Sequence, residues 1–134
     1  MILFIHGFGS CGWGAKSLAL RSHFGIDRVL APDLPFAPEA AIRRLKELKA
    51  RYRPTALVGS SLGGFYATWL NRDQPLPTVL INPAVRPHEK LAALVGRHRR
   101  WCDAMPFEVT VDYLSALQAM YRPTLDHSER YLVL

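Results

Sequence analysis

The feature that most constrains this chain is a turn. The apolar run Thr55-Ala56-Leu57-Val58 leads into Gly59-Ser60-Ser61-Leu62-Gly63, with Gly64 behind it and a helix-forming stretch beyond. Strand, G-x-S-x-G, helix is the context of a nucleophile elbow. The turn is tight and strained, and glycines two before and two after Ser61 leave room for it. Ser61 Oγ then projects above a sheet, and the backbone N–H of Leu62, at the helix N-terminus, points toward a developing oxyanion. A serine in a glycine-rich turn can also be a plain helix N-cap; the strand before it and the helix after it favour the elbow.

The rest of the chain alternates strand and helix. Ile2–Ile5 is a continuous apolar run of the kind buried on both faces of a sheet. Residues 15–24 predict a helix with Leu18, Leu20 and Phe24 as core contacts. Arg28–Ala31 predicts a second strand, stopped by Pro32-Asp33-Leu34-Pro35. Residues 39–52 give the clearest helix, with Ala41, Leu45 and Leu48 at helical spacing between charged residues. Strands follow at Thr55–Gly59 and Thr78–Ile81, with a helix over 62–72 between them. Two more helices are expected over 86–100 and 108–121, and a fifth strand at Tyr131–Leu134. Such alternation gives an α/β fold, three-layer α/β/α, with about five mostly parallel strands. Ligands in such sheets bind beyond the carboxyl ends of the strands, which here release loops 6–14, 32–38 and 59–62.

With 134 residues the chain reads as one domain, 1–134, without repeats or linker. A 49% hydrophobic and 21% charged composition excludes long disorder. No apolar run approaches the ~20 residues of a membrane helix, and Met1–Ile5 is too short for a signal peptide. Cys11 and Cys102 are too few for a disulfide scaffold and no Cys/His spacing suggests a metal site, so a reducing cytoplasm is the expected compartment. The net charge of +6 permits an anionic partner. Its densest run, Arg97-His98-Arg99-Arg100-Trp101, reads as a solvated helix end, without a nucleic-acid motif beside it.

A second glycine motif competes with the first. Gly7-Phe8-Gly9-Ser10-Cys11-Gly12 fits G-x-G-x-x-G after a strand, and Asp33 lies where a ribose-binding acid would be sought. Yet an oxyanion hole needs a second N–H from the loop after an earlier strand. His6-Gly7-Phe8-Gly9 stands there, with Phe8 as the N–H donor, Gly7 and Gly9 allowing close approach, and His6 structural. That assignment uses both glycine motifs in one site, so the loop is not expected to bind a dinucleotide.

These pieces together resemble the small YqiA-type esterases of the α/β-hydrolase superfamily. The likeness lies in His6-Gly7-Phe8, Ala31-Pro32-Asp33-Leu34-Pro35, the run from Val58 to Leu70, and Ile81-Asn82-Pro83-Ala84-Val85-Arg86-Pro87. The resemblance implies a shortened α/β-hydrolase core with a cap-like segment over 86–121. It implies Ser61 as nucleophile and the Phe8 and Leu62 N–H groups as oxyanion donors. The implied substrate is a small-molecule carboxylic ester or acyl thioester, with no cofactor; the residues themselves give no sign of a metal, nucleic-acid or membrane partner. The chain departs from the pattern at Gly9-Ser10-Cys11, where the family tends to have Asn-Ser-Ser, and a thiol is thereby expected near the site.

In the superfamily order Ser, acid, His, the acid and histidine would follow the strand ending at Leu134, so the triad is expected to be incomplete and the esterase activity impaired. Among internal candidates, Asp126-His127 falls at the amino edge, His23 near a helix end, His98 in the basic run and His6 beneath the oxyanion loop. His88 leaves the correct edge. Leu91, Leu94, Trp101 and Met105 are the candidate acyl contacts. The alternative is a non-catalytic, hydrolase-like module binding an acyl or anionic ligand or a protein partner.

Overall fold

Strand parity sorts the core into two faces. In the computed structural model, which covers residues 1–134, β1 (Ile2–Ile5), β2 (Val29–Leu30), β3 (Ala56–Ser60), β4 (Thr78–Ile81) and β7 (Tyr131–Val133) form one parallel sheet in the order β2-β1-β3-β4-β7. Leu3, Ile5, Leu57 and Leu80 face one side, where they meet helices α2 (Pro38–Tyr52), α3 (Leu62–Leu70) and α5 (Val111–Met120). Phe4, Val58 and Val79 face the other, against Leu20 of α1 (Ala15–Phe24). This is a three-layer α/β/α core built on a parallel sheet.

The helices follow their sequence signals where these are strong. α2 starts with Pro38 in its first turn, where a missing N–H costs nothing. It buries Ala41, Ile42, Leu45 and Leu48 and ends at Arg53, in the left-handed region ahead of Pro54. α1 departs from expectation. Its fully buried residue is Ser17, whose hydroxyl donates to Gly14 O at 2.9 Å, while Leu18 and Phe24 are 53% and 46% exposed. Only Leu20 of the three expected contacts packs inward.

The larger correction concerns residues 86–100. Only Pro87–Lys90 is α-helical (α4), and a single tight turn over Leu91–Leu94 follows. Gly96, at φ +134°, then ends any helix. Gly96–Arg99 (β5) and Pro106–Val109 (β6) pair as an antiparallel hairpin, with Arg97 opposite Glu108 and His98 opposite Phe107. The opposite-charge pair suits the exposed face of such a ladder. The basic run is therefore a strand and its turn, and the cap-like segment is a hairpin between two helices. In the turn Arg100 grips the Asp103 carboxylate with two nitrogens, at 3.0 and 2.5 Å, and holds its pKa at about 2. No helix is long and apolar enough to cross a membrane.

One buried side chain ties the end of α3 to the start of β4. Asn71 is fully buried; its amide donates to Leu76 O at 2.9 Å and Thr78 Oγ1 at 3.1 Å and accepts from Leu76 N–H at 2.7 Å. Removing it strands buried backbone groups. Asn71→Ala is expected to lower unfolding free energy by about 3 kcal/mol, read as a fall in the urea midpoint without a change in slope.

Candidate active site

β1 and β3 lie side by side with Ile5 opposite Gly59, so the segments that leave them meet at the carboxyl edge. Ser61 turns out of β3 with φ +54° and ψ −118°. A residue with a Cβ is held there at a cost on the order of 1–3 kcal/mol. The restraint comes from β4 and its following loop. Ser61 N–H donates to Ile81 O at 3.0 Å, and Ala84 N–H donates to Ser61 O at 2.9 Å. The same carbonyl accepts from Gly64 and Phe65 as α3 begins.

Three glycines make the crossing sterically allowed. A Cβ on Gly59 would strike the backbone of Gly63 and Gly64, one on Gly63 the carbonyls of Ile5 and His6, and one on Gly64 the ring of Pro83. Ser61 itself is exposed, and its hydroxyl caps no helix N–H. The plain N-cap reading is thereby excluded.

The loop after β1 lies against this elbow. A Cβ on Gly7 would sit 3.1 Å from Ser61 Cβ and 3.1 Å from Ser60 O. The N–H groups of Phe8 and Leu62 make no hydrogen bond within the protein, and both residues border one cavity of about 200 Å³. His6 is a strut beneath them. Its Nδ1–H donates to Gly7 O at 3.0 Å and its Nε2 accepts from Leu34 N–H at 3.2 Å. Burial lowers its pKa and favours this neutral form.

Asp33 is a second strut. Its carboxylate accepts from Gly12 N–H at 2.7 Å and stands 3.9 Å from the Arg100 guanidinium. Gly12 in turn packs on the Ala31 carbonyl. The acid that a dinucleotide would need for its ribose thus braces the loop. The hairpin clamps the same loop from outside: Trp101 N–H donates to Gly9 O at 2.8 Å, and Cys11 pairs with Cys102, their Cα atoms 6.5 Å apart. The thiol expected near the site is therefore engaged in a bond.

The cavity wall is aromatic. Phe36 stacks on Tyr113 with ring centroids 4.3 Å apart, and Phe107 meets Phe8 edge-on at 5.4 Å and Phe36 at 4.7 Å. Leu34, Met105 and Tyr66 complete it, with Arg100 at one side. Of the expected acyl contacts, Met105 alone lines this cavity. Trp101, 86% exposed, lies over Gly9 and borders a separate recess with Ser61. Leu91 packs on the core, and Leu94 is exposed. Phe36, Tyr66, Phe107 and Tyr113 were not foreseen as site residues; the carboxyl-edge position of the 32–38 loop was the only signal for any of them.

The histidines are dispersed. His6 shares the recess with Ser61 but has both nitrogens engaged. His98, expected at the surface, instead stacks on Phe107 at 5.6 Å and meets Phe8 at 6.1 Å. His88 lies against Tyr121, 5.4 Å between centroids, with Glu89 at 3.9 Å. His127 and Asp126 contact Arg72 just beyond α3, at the amino edge. His23 packs on Phe24.

A model of the Uncharacterised protein family (UPF0227) matches residues 1–134. The chain belongs to this family. This membership agrees with the YqiA-type resemblance of the motifs. A crystal structure of a candidate hydrolase from Agrobacterium vitis S4 superposes with TM-score 0.65 at 20% identity, over 90% of this chain. At that identity the match speaks for the fold, an α/β-hydrolase-like core. This chain spans 60% of the length of that protein.

The backbone of the UPF0227 elbow carries its own test. Glycine adopts the left-handed region without the steric cost that alanine bears. Ser61→Gly is expected to be more stable than Ser61→Ala by about 1 kcal/mol, measured by urea unfolding of both variants.

Proposed function

We propose that this chain carries the nucleophile and oxyanion hole of a serine ester hydrolase. Ser61 attacks the acyl carbonyl of a carboxylic ester or acyl thioester, the alcohol or thiol leaves, and water releases the acid. The N–H groups of Phe8 and Leu62 take the oxyanion, with the positive end of α3 behind Leu62. The observation that carries this reading is the Ser61 backbone: left-handed, with an exposed hydroxyl that caps nothing, beside two unspent N–H groups. The likeness of the fold to a candidate hydrolase supports the reaction class.

A serine hydroxyl is a weak nucleophile until a base takes its proton. His6 spends both nitrogens on the loop, and the other four histidines are held against Phe24, Tyr121, Phe107 and Arg72. In the superfamily order, an acid and a histidine placed after β7 would complete the triad. The engagement of His6 also favours a second reading, a module that binds acyl or anionic ligands without turning them over.

Turnover of p-nitrophenyl butyrate separates these. The 134-residue chain is expected to be slow, about 10³–10⁴-fold above water, and unaffected by His88→Ala. An extended form is expected to be much faster and to lose the gain on Ser61→Ala. Fast turnover by the short chain, lost in both Ser61→Ala and His88→Ala, would make His88 the base and overturn this assignment. Binding without turnover in either form would leave the binding module.

A further inference from the structure

Ser61 borders a recess of about 210 Å³ on the α1 side of the sheet, separate from the aromatic cavity. Strand parity carries Ser60 to that side, as it carries Phe4 and Val58, and Ser60 lines the recess. Ser60 is only 8% exposed. Its hydroxyl has no hydrogen-bond partner in the protein and is not sealed off from the recess. Alanine would fill the position equally well, and an unpaired hydroxyl at so buried a place calls for a group that pairs with it. α1 opens on the same recess through Gly14, Ala15 and Lys16. Its N-cap is a glycine, no side chain caps it, and its first turn holds no acid. The N–H groups of Ala15 and Lys16 make no hydrogen bond within the protein. The Lys16 ammonium forms no ion pair, and no Asp or Glu lines the recess.

We propose that this recess holds a negatively charged group of the substrate, a carboxylate or a phosphate, carried within a few atoms of the bond that Ser61 attacks. The proposal rests on the esterase reading, which puts the reacting carbonyl at Ser61. Three independent parts of the chain converge on the recess. Ser60, the residue before the nucleophile, offers a buried hydroxyl donor. The start of α1 offers two free N–H groups and the positive end of a helix dipole. Lys16 adds a full positive charge with no acid beside it. An anion uses all three, whereas a neutral alkyl group would leave each of them unpaired. The Arg100 guanidinium takes no part, since it borders the aromatic cavity and holds Asp103.

Boronic acids report on this without turnover, because boron bonds the serine oxygen. Calorimetric titration of the chain with propaneboronic acid, and with its analogues ending in a carboxylate or a phosphonate, is the experiment. At least one charged analogue is expected to bind about tenfold tighter than the parent, with an advantage that shrinks as salt is raised. The analogue that gains tells a carboxylate from a phosphate. Lys16→Met and Ser60→Ala are each expected to cut the charged-to-parent affinity ratio by about threefold or more. The ratio is taken within each variant, so a general loss of affinity cancels, and folding is followed by circular dichroism. Lys16 is exposed, so its variant removes the charge from a folded chain. Equal binding of all three acids would overturn the anion site and leave the esterase reading standing. So would a preference for charge that neither variant alters. Binding of no boronic acid, or binding that survives Ser61→Ala, would overturn the esterase reading and the anion site with it.

Discussion

The carboxyl edge of this molecule depends on backbone meeting backbone where α3 crosses β1. Gly63 presses on the carbonyls of Ile5 and His6, and Gly59 on the next turn of the helix. No residue with a Cβ fits those contacts, and any outward shift of α3 would carry the Leu62 N–H away from the loop that bears Phe8. The close approach therefore fixes two things at once. It forces Ser61 into its left-handed turn, and it brings a helix N-terminus, with its free N–H and favourable field for negative charge, to the side of the loop after β1.

A glycine-rich loop at such a place is also a liability, since glycines have much backbone freedom to lose. This loop is held by polar struts from a different segment. His6 reaches Leu34 and Asp33 reaches Gly12, so the 32–38 connection braces 6–14 from below. The hairpin turn braces it from above through Trp101, the Cys11–Cys102 pair and Arg100 on Asp33. His6 and Asp33 are thereby engaged in holding this loop.

Much of this was legible because it is local. The elbow and the buried strands around it are short-range patterns in which glycine spacing and apolar runs have one reading. The two glycine motifs, read in the sequence as parts of one site, lie side by side, with Gly7 against the Ser61 turn. The hairpin at 96–109 was not legible. Arg97, Arg99 and Arg100 mask a strand alternation whose inward residues, His98 and Phe107, acquire meaning only against Phe8. Leu18 and Phe24 depart from their helical spacing because α1 turns Ser17 and Leu20 inward and leaves both of them exposed. The cavity wall comes from residues 36, 66, 107 and 113, far apart in the chain, and no local pattern marks such a convergence. Membership in UPF0227 fits the motif-level resemblance but does not by itself supply the cavity's lining.

In the proposed function, Ser61 Oγ, Phe8 N–H and Leu62 N–H surround one reacting centre. A crystal structure of the chain with butaneboronic acid tests it most directly, because boron becomes tetrahedral on bonding a serine oxygen. The expected result is a boron–Oγ bond at Ser61 and one boronate oxygen about 2.7–3.1 Å from both the Phe8 and Leu62 nitrogens. A boronate bound elsewhere, or a Phe8 N–H turned away from the bound oxygen, would contradict it.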